Sequence, residues 1–232
     1  MPRLAFDEAK ALIFTGKDSA NFIDGLSTNK IEFLNNQVIN SLVLNNKAKI
    51  LGQLHLFELN EMIVSVTIAE NFEQLVGYLK SKILSQDVKI NDVSDLNYID
   101  ILYGEVSISE QVYRDKDTTK IGINGLYSIE LYSVKLNRKV CDGNDESFTE
   151  WRVENLIPWY KYEISSAVNP YQCGLGYQVH ENKGCYTGQE ILTRMRTRNK
   201  RIYQLIAKEN DEPEISKPTT QGREKSLYLE RI

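Results

Sequence analysis

The chain has 232 residues, 41% apolar and 26% charged, with 28 basic against 32 acidic side chains and a net charge of −4. This is ordinary globular composition, enough for one large domain or two small ones sharing a core. It argues against bulk affinity for nucleic acid, and no apolar run approaches the roughly 20 residues that span a bilayer, so no membrane partner is expected.

The amino terminus, MPRLAFDEAK, lacks a basic segment followed by an apolar one, so no secretory signal is expected. Residues 11–14, ALIF, read as a short strand. GKDSANFIDGLSTN (16–29) reads as a helix, with Asp18 as its cap, Phe22 and Leu26 on one face and Gly25 near its end. VINSLVL (38–44) is strand-like. GQLHLFEL and MIVSVT follow as β-rich runs, separated by Asn60 and Glu61, the length of a two-residue hairpin loop. In ENFEQLVGYLKSKIL (70–84), Phe72, Leu75, Val76, Leu79 and Ile83 make one apolar helical stripe. DVKINDV closes the unit as a strand. Strand, helix, strands, helix, strand is the order of a ferredoxin-like α+β layer.

Residues 98–136 carry further β signals in YIDILYG, VSISEQVY and LYSIELYSVKL. SFTEWRVENLIP reads as a helix opened by a capping box, Ser147 with Glu150, and stopped near Pro158. Residues 158–190 then hold two prolines, four glycines and no sustained periodicity, yet many aromatics, which suits an ordered, functional irregular segment. Within it LGYQV (175–179) suits a short strand and ENKG a turn. GQEILTRMR has helical composition, with Ile191, Leu192 and Met195 on one side.

Cys141, Cys173 and Cys185 show neither CxxC nor zinc-ligand spacing, so no metal site is expected. The odd count favours free thiols in a reducing compartment, the cytoplasm. Cys185 lies in KGCYTGQE, at or just before a helix start whose free N–H groups stabilise a thiolate, with Lys183 as a nearby cation. A half-buried, inert cysteine in a tight turn is the alternative. Arg194, Arg196, Arg198, Lys200 and Arg201 put five cations in eight residues. They form either a solvated helix end or a patch for phosphate, RNA or a polyglutamate tail.

KGCYTGQE, followed closely by RNKR, resembles the signature of the YgfZ-type folate-binding proteins, relatives of the glycine-cleavage aminomethyltransferase (T protein). GKDSANFIDGLSTN, KAKILGQLHLF and WRVENLIP are similar to further stretches of that family, the last to an R-x-x-x-G-x-P helix end. The resemblance implies ferredoxin-like α+β units around a central folate channel. The domain boundaries expected are 1–94, 95–201 with the cysteine segment, and 202–232, a short β remnant of a carboxy-terminal barrel.

The resemblance also implies a role in assembly or repair of iron–sulfur proteins, linked to tRNA modification, with tetrahydrofolate as cofactor. Iron–sulfur client or assembly proteins, and tRNA, are the partners it implies. Carried over residue by residue, Cys185 and Lys183 take the working positions, and Arg152, Glu154, Tyr186 and Gln189 the folate-binding ones. T proteins place a catalytic aspartate on the strand corresponding to residues 52–56. Here that stretch is GQLHL, without an acid, and His55 is either a substitute or structural. Three readings follow: an iron–sulfur assembly or repair factor working through Cys185, a tetrahydrofolate-dependent one-carbon transferase, and a non-catalytic RNA or protein adaptor.

Overall fold

A computed structural model describes residues 1–32, 36–104, 110–198, 202–211 and 217–231. In chain order the elements are β1 (Arg3–Ala5), β2 (Lys10–Thr15), α1 (Ser19–Leu26), β3 (Ile39–Leu44), β4 (Ile50–Leu59), β5 (Met62–Ile68), α2 (Phe72–Ser81) and β6 (Lys89–Asp92). There follow β7 (Asn97–Tyr103), β8 (Val112–Asp115), β9 (Thr118–Ile123), β10 (Tyr127–Ser133), α3 (Asp145–Glu154), α4 (Gln189–Thr197), β11 (Tyr203–Glu209), β12 (Thr220–Gln221) and β13 (Lys225–Arg231).

Three antiparallel sheets result. The first has the order β3-β4-β5-β2-β6. Without its edge strand β3, this is the ferredoxin-like order, with α1 and α2 as the two crossovers. The second sheet is β1-β7-β10-β9-β8, and β11-β13-β12 make a small third one. The molecule is therefore α+β, as the element order implies.

Strand alternation decides the layering. One face of the first sheet (Leu12, Phe14, Val43, Leu54, Leu56) packs on Phe22 and Ile23 of α1 and Leu75 and Leu79 of α2. Its other face (Ala11, Leu42, Leu44, Phe57, Val64, Val66) meets Ile99, Ile101, Ile121, Ile123, Ile129 and Leu131 of the second sheet. Each such side chain taken from water stabilises the fold by roughly 1.5–3 kcal/mol before entropy is counted. Val153 of α3 packs on Leu205 and Leu227, tying the third sheet to the rest.

The hairpin between β4 and β5 turns on Asn60 and Glu61, at φ 49° and 62°, the two positive values that match strand twist. Four local readings need correction. Asp18 stands at the start of α1, but its carboxylate accepts from the Asp87 N–H (2.8 Å) and leaves the helix uncapped by a side chain. The capping box of α3 is Asn144 with Ser147, one turn earlier than expected, since Asn144 offers an acceptor three residues before Ser147 N–H (2.8 Å). Residues 176–178 form a 3-10 turn rather than a strand, because Gln178 and Val179 N–H close back on Leu175 and Gly176. Strand β9, TTKIGI, was not expected, its mixed polarity hiding an edge of the main core. Part of VSISEQVY, residues 106–109, lies outside the described residues.

Candidate functional site

Between the two large sheets lies a cavity of about 130 Å³, open to solvent on one side where Leu156 and Tyr177 line it. Ile123, Tyr127, Trp159, Tyr160 and Leu175 make apolar walls, and Gln53, Asn124, Tyr177 and Gln178 bring polar groups to it. Gln53 and His55 alternate on β4, so both face the second sheet instead of the helices.

The polar groups form a connected chain. His55 Nδ1 meets Asn40 Oδ1 at 2.6 Å, and Asn40 Nδ2 donates to Asn124 Oδ1 (3.3 Å). Asn124 Nδ2 donates to the Tyr177 hydroxyl oxygen (3.1 Å), which also accepts from Gln178 Nε2 (3.3 Å). Gln53 Nε2 donates to Gln178 Oε1 (3.4 Å). Pairing with the Asn40 oxygen places the imidazole proton on Nδ1 and leaves Nε2 a bare acceptor, buried and without a hydrogen-bond partner among the described residues. Complete burial pulls the His55 pKa down to about 4, so the ring is neutral. Burial likewise holds the Tyr127 and Tyr160 phenols well above their usual range.

The cysteine segment is stitched to this interior from the other side. Thr28 Oγ1 donates to Gln178 O (2.8 Å), and His180 N–H donates to Thr28 O (2.9 Å). Lys183 is turned inward, its side chain 1% exposed. Its ammonium donates to the carbonyls of Asp24, Ser27 (2.8 Å) and Asn29 (2.8 Å), and Asp24 Oδ1 stands 3.3 Å away. These carbonyls lie at the carboxy end of α1 and just beyond it, where a cation is favoured. Burial lowers the lysine pKa, against the pull of Asp24. The end of α1 with the residues after it and the KGCYTGQE stretch, 154 to 159 residues apart, are thus one contact.

Tyr186 lies in the main core beneath the Lys183 ammonium, 5.3 Å from ring centroid to nitrogen, and burial pushes its hydroxyl up to about 12. Thr187 accepts from the Tyr78 hydroxyl of α2 (3.1 Å), and Gln189 Nε2 reaches Lys183 O (3.3 Å). Gly188, at φ 86°, starts α4. A Cβ there would meet the Ala48 Cα at 3.0 Å and Asn45 O at 3.1 Å, so only glycine lets the helix start sit on the β3–β4 turn. Cys185 is exposed, three residues before that glycine, and a Cβ on neighbouring Gly184 would meet nothing within 4 Å. Cys185 thus occupies an exposed position on a loop anchored by Lys183 and Gly188. By contrast Cys173 is buried, its thiol pushed up to about 12 by desolvation.

Arg152 is fully buried. It pairs with Glu163 (3.4 Å) and donates to Ile157 O and Thr220 Oγ1, while Glu163 also accepts from Thr220 (2.7 Å) and Trp159 N–H (2.9 Å). Glu154 is exposed on the other side of α3, in a cleft with Glu150, Arg223 and Lys225. Neither lines the inner cavity. Arg196 is paired with Glu181 (2.7 Å) and Arg194 stands 3.8 Å from Glu190, while Arg198 is exposed. Lys200 and Arg201 lie outside the described residues.

Gln53, Asn124, Tyr177 and Gln178 were not singled out in the sequence. The available signal was GQLHL itself, polar at alternate positions of a strand that turns out to be covered on both faces. No group of metal-ligating side chains occurs among the described residues, and no helix among them is long and apolar enough to cross a membrane.

No family model matches the chain. It is similar to the aminomethyltransferase of Caldanaerobacter subterraneus, 23% identical over 223 residues, covering 80% of this chain and 60% of that one. The aminomethyltransferases of Alkaliphilus oremlandii (23% over 238 residues, 85% and 65%) and Thermoanaerobacter pseudethanolicus (24% over 219 residues, 78% and 60%) are similar at the same level. The crystal structure of the glycine cleavage system aminomethyltransferase T from Bartonella henselae superposes with a TM-score of 0.72 at 15% identity, over 88% of this chain and 65% of that one. The fold is therefore that of the aminomethyltransferases, and the chain spans less than two thirds of the length of these relatives.

Proposed function

We propose that the inner cavity takes the pterin ring of a reduced folate and that the chain acts in assembly or repair of iron–sulfur proteins, with Cys185 as its working thiol. The observation that carries the folate half is the wall chemistry. An aminopyrimidine edge offers donors and acceptors side by side, and the buried Gln53 and Gln178 amides, with the half-buried Asn124, offer the same mixture from hydrogen-bonded positions. Trp159 and Tyr127 supply flat apolar walls for the ring. Bound there, a folate would bring one-carbon chemistry to the interior. The chain's own groups orient the ring, keep water out and hold the His55 proton on Nδ1.

The thiol half rests on the placement of Cys185, exposed on a loop that Lys183, Thr28 and Gly188 fix in place. A rigid loop presenting an accessible thiol suits reaction with a partner protein. One-carbon transfer is a second reading, favoured by the names of the curated relatives. Against it stands the cavity lining, which includes no carboxylate among the described residues to serve as acid or base. The adaptor reading is weakened because Arg196 and Arg194 already have acidic partners.

Titration calorimetry with tetrahydrofolate against the wild type and Gln53→Leu tests the cavity. Binding that weakens in the variant is expected, and no heat with the wild type rejects the folate assignment. For the thiol, a deletion strain complemented with the wild type should regain [4Fe–4S] enzyme activity under oxidative stress. Equal rescue by Cys185→Ala would remove Cys185 from the mechanism.

A further inference from the structure

The inner cavity is separated from a second, more polar cavity of about 260 Å³, which adds Asn29, Lys30, Asn40 and His180 to its lining. The two share Asn124, Tyr177 and Gln178 as a common wall. These three residues are not held alike. Gln178 is 1% exposed and fixed by Thr28 on its carbonyl and Gln53 on its side chain. Asn124 is tied to Asn40. Tyr177, on the 3-10 turn Gly176–Gln178, is 58% exposed as a residue, but its hydroxyl end is buried against the wall, where burial raises its pKa and where, among the described residues, it accepts from two amide donors, at 3.1 and 3.3 Å.

From this we infer that Tyr177 is a gate: when its ring swings outward, the two cavities become one channel, and when it returns, the ring closes over the occupant of the inner one. The swing breaks two hydrogen bonds to the phenol oxygen and returns that buried hydroxyl to water. In the closed position the phenol oxygen accepts from both amides, which leaves its own proton for an acceptor on the occupant. The inferred passage of a flat, uncharged ring rests on the folate reading of the inner cavity. The gate itself does not.

The test uses a thiol placed in the inner wall by Ile123→Cys, a position that is 1% exposed and lines the inner cavity but not the outer one. Alkylation by iodoacetamide is followed peptide by peptide in three backgrounds: Tyr177, Tyr177→Phe and Tyr177→Ala. Losing the two hydroxyl contacts should raise the open population, and so the labelling rate at position 123, by about tenfold or more in Tyr177→Phe. Tyr177→Ala should be faster again. Hydrogen exchange of the β7 amides, outside both cavity linings, is the internal reference and should stay slow.

Equal rates at position 123 in all three backgrounds overturn the gate. So does a rise accompanied by faster exchange in β7, which reports general loosening. If Ile123→Cys does not fold, Leu126→Cys probes the same cavity. Stopped-flow mixing with tetrahydrofolate then separates the two ideas. Association rates rising in the same order support both, whereas ordered labelling without folate binding keeps the gate and rejects the folate reading.

Discussion

Single residues carry two features whose energies can be measured directly. Leu156 follows the last turn of α3 at φ 54°, the left-handed position that ends many helices and normally calls for glycine. It is also the glycine position of the R-x-x-x-G-x-P pattern that WRVENLIP resembles. Its side chain is 44% exposed, so little packing is lost on removing it. Leu156→Gly should stabilise the protein by about 1 kcal/mol, read as a higher urea midpoint at unchanged slope.

His55 gives a pH signature. Its folded pKa of about 4 lies below the ordinary value of 6.5, so below pH 6.5 the unfolded chain binds a proton that the native state refuses. Stability is therefore fully present above pH 6.5 and is lost as pH falls towards 4. Between pH 7 and pH 5 this group alone should remove about 2 kcal/mol. Urea unfolding of the wild type and His55→Gln at both pH values isolates it. An equal pH dependence in the two proteins would show that the ring is not buried neutral.

Among elements, the consequential contacts are those that join distant parts of the chain. Lys183 ties the cysteine segment to α1, and Arg152 with Glu163 and Thr220 ties α3 and the turn after it to the third sheet. Each places a cation where packing alone would leave several carbonyls or a carboxylate unsatisfied. Lys183→Met keeps the length of the side chain but leaves the Asp24, Ser27 and Asn29 carbonyls without their donor. It should cost about 3 kcal/mol and raise hydrogen exchange first in residues 24–29 and 180–185. Uniform exchange across the protein would argue against a local brace.

For the whole molecule, two sheets face each other over a common core, and the polar cavity sits where that core is interrupted by Gln53, Asn124 and Gln178. A ligand that binds only the folded state raises its stability. At a hundredfold excess over its Kd, tetrahydrofolate should add about 2.7 kcal/mol, or roughly 5–10 °C in melting temperature for a chain of this size. An unshifted melting curve at that excess would contradict the cavity assignment.

What the sequence alone determined was local and periodic. The apolar stripe of α2, the Asn60–Glu61 turn and the strand, helix, strand order are written in patterns of 2 and 3.6 residues, and they specify an α+β layer. The KGCYTGQE segment also stood out, because a thiol among glycines and polar residues is unusual chemistry. Only the tertiary structure decided what those residues touch. It turned Lys183 away from solvent and into the end of α1, enclosed Arg152 while leaving Glu154 outside, and made Gln53, Asn124, Tyr177 and Gln178 into one wall. The physical reason is sequence separation: the partners of these groups lie up to 159 residues away. The direction in which a buried amide or ammonium points is set by what packs against it, not by its neighbours in the chain.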